Sequence, residues 1–391
     1  MLEGLRMTFM TFMTFRYRLQ PTSQQERRLE EVQWRCRALY NTALERRGTW
    51  WRCGQGKASA RFQQEAKLKD LWAAFPEDSS LHSHVLKDVL ARLDRTHQAF
   101  FRHVLAGEQA GCPPFQGRGR CHSFTYQEYS NGTHPANGCL LLSRIGPLAI
   151  RWSHPLIGAI KTVTVSGEPD GWYVCFSCAL APTQPLPPIG RETGQDVGLK
   201  VFLVTAAGAA VTSPRHHRTV EKQQSKARKP LSRRKKRSKR WYKAARLVAR
   251  HHQKVRRRGQ DFHHQTALAE LRACNTPYLE DLRVANLVRN RHLSKSDADA
   301  GRAQFRTTLA YKAVCAGKRV VLIEPASASQ DCSDCGAGVE KSLSVRTHVC
   351  SACGFTAGRD RSAALNIMRA GQAHRGAVAV ATVVERESIG H

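Results

Sequence analysis

Four cysteines carry the strongest chemical signal in this sequence. Cys332 and Cys335 lie three apart in a CSDCG turn, Cys350 and Cys353 repeat that spacing in CSACG, and fourteen residues separate the pairs. Each turn aims two thiolates inward, and two such knuckles close a tetrahedral cage suited to zinc. Four protein ligands leave no open position for water, so the expected ion is structural. Cys175 and Cys178 share the spacing but sit in a strand-like run with no second pair nearby. Residues three apart in a strand face opposite sides of the sheet, so core packing is expected there. The remaining cysteines read as small hydrophobes.

Acids are scarce, 31 against 62 lysines and arginines, so their placement is informative. Asp196 stands in DVGLKVFLVT between Gly194 and Gly198, which leave room for a close approach. Glu280 ends the apolar TPYLE, and Asp360 opens the helical GRDRSAALNI. Three carboxylates from separate elements could converge on a pair of divalent cations. That arrangement activates a water and stabilises the leaving oxygen of a phosphodiester. From the residues alone a second reading stays open, with Asp360 as a helix N-cap and Glu280-Asp281 as surface acids.

The elements that must position these groups fall into two stretches. The first begins with a strand at 14–19, a break at Pro21, and helical patterns from 24, over 61–74 and over 82–105. A turn-rich segment at 111–119 then gives way to short strands at 123–126, 140–142, 148–152, 162–165 and 172–180. The proline-rich 181–190 is the best boundary. Beyond it come a hairpin of strands at 196–205 and 209–212, a basic helix over 219–274 and a short strand near 278–282. Helix follows at 303–316, strand at 319–323, then the knuckles and a last helix near 361. The order is multidomain α/β.

The formal net charge of +31 points to a polyanionic partner. No apolar run reaches the ~18–20 residues of a spanning helix, and no lipidation motif appears, so nucleic acid is favoured over membrane. With no secretory leader in a long, lysine-rich chain, a reducing cytoplasm is expected; Met7, Met10 or Met13 could be the initiator. The charge concentrates in 226–258, which holds no acid. Arg233, Arg234, Lys235, Lys236, Arg237, Lys239 and Arg240 read as a clamp on phosphate backbones, acting by charge and shape. Trp241, Leu247, Val248 and Val255 add a narrow apolar stripe; a solvated basic face is the plainer alternative. Trp34, Tyr40, Trp50, Trp51, Phe124 and Tyr126 could stack on bases, with half or more of them expected in the core.

Taken together these segments resemble the TnpB family, RNA-guided DNA endonucleases encoded by bacterial insertion sequences and related to type V CRISPR effectors. Asp196-Val197-Gly198-Leu199-Lys200 is similar to the first of three acidic motifs in that family's split RuvC-like nuclease. Glu280-Asp281-Leu282-Arg283-Val284 is similar to the second, and Asp360 with Ala363-Ala364-Leu365-Asn366-Ile367 to the third. The cysteine knuckles lie between the second and third motifs, as in the family. FRYRLQPTSQQ, CRALYNTALERR and GRGRCHSFTY carry the likeness through the first half.

The resemblance implies an OB-like wedge β-barrel from 1–22 and 113–185, with a helical recognition insert at 23–112. An RNase H-like (RuvC) nuclease domain would span 190–377, with a zinc ribbon at 327–356 and a tail at 378–391. It also implies Asp196, Glu280 and Asp360 as the catalytic ligands of two Mg²⁺ ions, a structural Zn²⁺ on the four cysteines, and a monomer bound to a guide RNA from its own element and to double-stranded target DNA. A guided DNA-binding repressor, or a nuclease decayed below efficient cleavage, is the alternative. Four departures bear on it. Gly358 and Ser362 replace an Asp and an Asn of the third motif, and Asp297 and Arg302 occupy apolar and tryptophan positions. A charge in place of an apolar group near the acids could cost on the order of a few kcal/mol.

Overall fold

Phe15, Tyr17 and Leu19 alternate with exposed or half-exposed neighbours, and that alternation buries one face of β1 (Thr11–Gln20). The computed structural model describes residues 11–53, 61–68, 81–117, 120–136, 138–180, 185–281, 301–324, 330–340 and 345–373. They divide into two compact units, Met1–Pro182 and Thr183–Gly390.

In the first unit β1 is followed by α1 (Ser23–Arg52), α2 (Arg61–Ala66) and α3 (Ser83–Leu105). Then come β2 (Ser123–Tyr126), β3 (Thr133–Ala136), β4 (Cys139–Leu142), β5 (Gly146–Arg151), β6 (Ala159–Glu168) and β7 (Gly171–Leu180). The strands form one antiparallel sheet in the order β2-β6-β7-β1-β5-β4-β3. Because β1 pairs with both β5 and β7, the helices between β1 and β2 are an insert in the chain path of the sheet. Thr22 starts α1 with a capping box, its hydroxyl accepting from Gln25 N while the Gln25 side chain accepts from Thr22 N. Leu29, Val32, Cys36 and Tyr40 bury one face of α1 in the core shared with Phe124, Tyr126, Val174 and Phe176. Arg92 on α3 donates to the Ser123 carbonyl at 3.0 Å and the Thr125 hydroxyl at 2.8 Å, tying helix to sheet.

The second unit contains β8 (Glu192–Asp196), β9 (Val201–Thr205), β10 (Ala210–Thr212), α4 (His216–Arg233), α5 (Lys239–Ala273) and β11 (Thr276–Glu280). It continues through α6 (Arg302–Cys315), β12 (Val321–Ile323), β13 (Thr347–Val349), β14 (Thr356–Gly358) and α7 (Arg359–Ala373). A five-stranded sheet runs β10-β9-β8-β11-β12, antiparallel through β10-β9-β8 and parallel through β8-β11-β12. Phe202, Leu203, Ala267, Leu271, Phe305 and Leu309 pack α5 and α6 together with this sheet.

The sequence pattern misplaces three features here. The single strand expected at 196–205 is two strands joined by a turn at 197–200, where Gly198 N donates to the Phe202 carbonyl at 3.1 Å. Asp196 therefore closes β8 rather than opening a strand. The helix expected over 219–274 breaks at 234–238. Arg237 adopts a left-handed φ of 68° there, and the Ser238 hydroxyl caps α5 by accepting from Trp241 N. The sequence pattern gives no sign of β3, because THPA carries a proline and little alternation. Part of the helix expected over 61–74, the end of the strand expected at 278–282 and the tail at 378–391 lie outside the described residues. Among the described residues no helix is long and apolar enough to cross a membrane.

Candidate active site and metal centre

Strands β8 and β11 are parallel and in register, with Gln195 opposite Leu279. The next residue on each strand is an acid, so Asp196 and Glu280 emerge side by side at the carboxyl end of the sheet. In an open α/β sheet this is the edge where ligand sites form. Asp360 reaches them from the first turn of α7. That helix can approach because two glycines let it. A Cβ on Gly194 would overlap the Ala364 carbonyl oxygen, and one on Gly371 would overlap the Tyr278 ring. The space expected beside Asp196 is thus taken up by α7 itself. Gln372 donates to the Glu192 carboxylate at 3.2 Å and further fixes α7 on β8, while Tyr278 donates to the same carboxylate at 3.1 Å and ties β11 to β8.

The charges at this edge are crowded. Burial pushes the Asp196 carboxyl up to about 7, with the negative charges of Asp360 and then Glu280 adding to the rise. Arg302 and Arg359 pull the other way. Burial also raises Glu280, again opposed by Arg302. Arg346 pairs with Asp360 at 3.5 Å. Asp281, next to Glu280, instead points to Arg306 and is exposed. A divalent cation would relieve the repulsion among the three acids, and hard oxygen donors suit Mg²⁺. The donors are of the kind such an ion takes, while among the described residues the tight metal-ligand cluster is that of the four knuckle cysteines. The structure brings together the acids that the three motifs single out. Leu282, Arg283, Val284 and Asp297 lie outside the described residues.

The four knuckle cysteines also converge, their sulfurs all within 4.8 Å of one another. Cys332 and Cys353 are 3.7 Å apart and Cys335 and Cys350 3.6 Å. Zn–S bonds of about 2.3 Å at tetrahedral angles place sulfurs roughly 3.8 Å apart, so the cluster could hold zinc. Both turns have the same build. Gly336 N donates to Cys332 O at 3.0 Å and Gly354 N to Cys350 O at 2.9 Å, each glycine in the left-handed region. Cys175 and Cys178 stay on β7, where Cys178 is buried in the sheet core.

The knuckles also hold α7, which the sequence did not reveal. Ser362 donates to the Ser333 hydroxyl at 3.2 Å, Asn366 donates to the Asp331 carbonyl at 2.8 Å, and Arg359 N donates to Arg346 O at 2.7 Å. Asp331 and Ser333 flank Cys332, so the cysteine cluster and the helix bearing Asp360 are tied by these bonds. Ser362, a departure from the family pattern, is buried in this junction.

The basic clamp residues Arg233, Arg234, Lys235, Lys236, Arg237, Lys239 and Arg240 are all exposed where α4 turns into α5. The candidate stacking residues separate. Tyr40, Phe124 and Tyr126 are core residues and offer no free face, whereas Trp34, Trp50 and Trp51 are exposed.

Three family models match the chain in order. A helix-turn-helix domain of the OrfB_IS605 proteins matches 10–56, the OrfB_IS605 "Probable transposase" model matches 175–291, and a Cas12f1-like TNB domain matches 303–367. In the described part of 10–56 the chain forms β1 and the single helix α1. A protein of Streptomyces pristinaespiralis named "Putative RNA-guided DNA endonuclease" is 33% identical over 92% of this chain and 89% of its own length. InsQ of Escherichia coli K12, which carries the same description, is 28% identical over 92% of each chain. A solved structure of the mini-RNA-guided endonuclease CRISPR-Cas_phi3 aligns over 93% of this chain and 92% of its own at 9% identity, with a TM-score of 0.49. Near-full-length identity to the Streptomyces protein, with ordered family matches in both halves, establishes that the chain belongs to the TnpB family of insertion-sequence proteins.

Proposed function

We propose that this protein is a transposon-associated, RNA-guided DNA endonuclease. It binds a guide RNA from its own element, recognises a short motif beside the target and hydrolyses DNA phosphodiester bonds with Mg²⁺. Membership of the family and the names of the relatives support the guided-nuclease class. One observation carries it to this chain: Asp196, Glu280 and Asp360, from three separate elements, are close enough for two of the charges to raise the third carboxyl. Like charges crowded at a strand edge are costly for a fold and useful at a metal site.

In this reading Asp196 and Glu280 hold metal from the fixed ends of β8 and β11, and Asp360 completes the set from α7. Bound divalent cations would supply an activated water and charge to stabilise the leaving oxygen. The exposed cluster at the α4–α5 turn holds phosphates of RNA or of the guide–target hybrid without reading bases. Zinc on the four cysteines is structural. The first unit is read as the wedge barrel with its recognition insert, and the second as an RNase H-like (RuvC) nuclease with the zinc ribbon. The ribonucleoprotein is read as monomeric and cytoplasmic.

The repressor alternative draws on Gly358, an exposed residue at the end of β14 where the family carries an Asp. A Cβ there meets nothing within 4 Å, so Gly358→Asp fits. Sequencing the RNA that copurifies with the chain, then supplying that guide, Mg²⁺ and a DNA library with randomised flanks, tests the proposal. Guided cutting next to one flanking motif is the expected result. A library bound at one motif but left intact selects the repressor.

A further inference from the structure

The strand that leads into α7 belongs to the second knuckle. β13 and β14 pair antiparallel, with Thr347 opposite Gly358, and Cys350 and Cys353 lie in the turn between them. β14 ends at Gly358 and α7 begins at Arg359, so Asp360 follows directly on this hairpin. The hairpin also touches the acid itself. Arg346, the residue before β13, accepts from Arg359 N at 2.7 Å and places Nη1 3.5 Å from the Asp360 carboxylate.

The first knuckle meets the same helix from the side. Ser333 follows Cys332, both are buried, and the Ser333 hydroxyl accepts from Ser362 at 3.2 Å. One turn further on, the Asp331 carbonyl accepts from Asn366 at 2.8 Å. The two knuckles are separate stretches of chain, and their sulfurs meet in pairs, Cys332 with Cys353 at 3.7 Å and Cys335 with Cys350 at 3.6 Å. A metal ion on the four thiolates bonds the stretch that grips the side of α7 to the hairpin that starts it. The path from Cys332 through Ser333, Ser362, Arg359 and β14 back to Cys353 is then a closed loop, and Asp360 lies on it.

We propose that the four-cysteine cluster is a positioning device for Asp360. Zinc closes the loop, Ser333, Ser362 and Asn366 pass the restraint to α7, and the acid site's affinity for its divalent cation depends on both. Gly194 and Gly371 set how near α7 lies to the strands; the loop sets where its first turn points. The three polar side chains are positioning residues in this scheme, which rests on reading Asp196, Glu280 and Asp360 as metal ligands.

The probe for the acid site is Mn²⁺, a hard ion that favours carboxylates over thiolates, titrated into the full chain and followed by electron paramagnetic resonance. Elemental analysis of the same samples gives zinc per chain, and hydrogen exchange follows the amides of α7 and α5. The set compares the unmodified protein, the same protein after a chelator has removed its zinc and been dialysed away, Ser333→Ala, Ser362→Ala, their double variant, Asn366→Ala and Asp196→Asn. The single serine variants and Asn366→Ala should keep their zinc, bind Mn²⁺ on the order of tenfold more weakly, and exchange faster in α7 with α5 unchanged. The double serine variant should match either single one, because both break one bond. Zinc removal should weaken Mn²⁺ binding at least as much; if it also exposes α5, the unit has unfolded and the side-chain variants decide. Unchanged Mn²⁺ affinity in those variants, while Asp196→Asn still abolishes binding, overturns the positioning role and leaves the acid site standing. Mn²⁺ binding that is unaffected by Asp196→Asn overturns the acid site and the positioning role together. Zinc lost from the serine variants, or additive losses in the double variant, overturns the Ser333–Ser362 bond as the link.

Discussion

At Asp196, burial and function pull in opposite directions. Its carboxyl, raised by burial and two acidic neighbours to about 7, keeps a proton in the folded chain over a pH range where the unfolded chain has already lost it. The folded state binds more protons there, so this residue's contribution to stability falls as pH rises from about 4 to about 7 and stays low above that. Asp196→Asn should therefore raise the thermal midpoint of the metal-free protein at pH 8 by several degrees. The corresponding free energy is at most a few kcal/mol, and the gain should shrink as pH falls toward 4. Thermal unfolding with a chelator at both pH values measures this, and equal midpoints at pH 8 would contradict it. Asp281→Ala and Glu324→Ala should change stability and cutting little, since both residues are exposed and no motif assigns them to metal. The acids and cysteines were legible because spacing and ordered motifs mark them. Arg302 and Ser362 were visible only as departures, since their partners lie far away along the chain and meet them only in the fold.

Among the elements, α7 matters most, because it carries Asp360 and is seated by packing that leaves little slack. Gly194→Ala would drive a methyl group into the backbone of α7 at Ala364, which a rigid helix cannot yield. A destabilisation of about 2–4 kcal/mol is expected by chemical denaturation, and a change under about 1 kcal/mol would mean that α7 shifts freely. The knuckles hold the same helix through Ser362 and Asn366, on either side of Ala364. Elemental analysis should find about one zinc per chain, and Cys350→Ser should lower both zinc content and folded yield. Replacing Cys175 and Cys178 together should leave the metal content unchanged. Full zinc retention after replacing both Cys332 and Cys335 by Ser would refute the assignment. Ser362→Asn should not restore a family-like junction, because the larger side chain must displace the buried bond to Ser333. Gly194 read as a signal for close approach without revealing what approached, since a glycine records the space and not its occupant. The α4–α5 break is hidden in the sequence for a related reason: basic residues run straight through it, and only the Ser238 cap and the backbone of Arg237 mark the turn.

Across the whole molecule the net charge of +31 dominates, and the structure exposes its densest cluster at a helical turn. Neutralising Arg233, Arg234, Lys235, Lys236 and Arg237 should weaken RNA binding and flatten its salt dependence, with the slope falling by roughly 0.7–0.9 for each phosphate that is no longer neutralised. An unchanged slope would make this turn a solvated face. Most strands of the first unit were legible because alternation survives wherever one face of a sheet is buried. The five-stranded sheet was harder, since its strands are short and the central β9 and β11 are buried along most of their length, so alternation fades and glycines set the turns. The nuclease itself is tested most directly by pairing binding with cutting on one guided DNA target in Mg²⁺. The unmodified chain should bind and cut, while Asp196→Ala, Glu280→Ala and Asp360→Ala should each bind the guide and target as tightly and leave the DNA intact. Tight guided binding by the unmodified chain with no cutting at any Mg²⁺ concentration would contradict the account, as would cutting that survives the loss of any one of these three carboxylates.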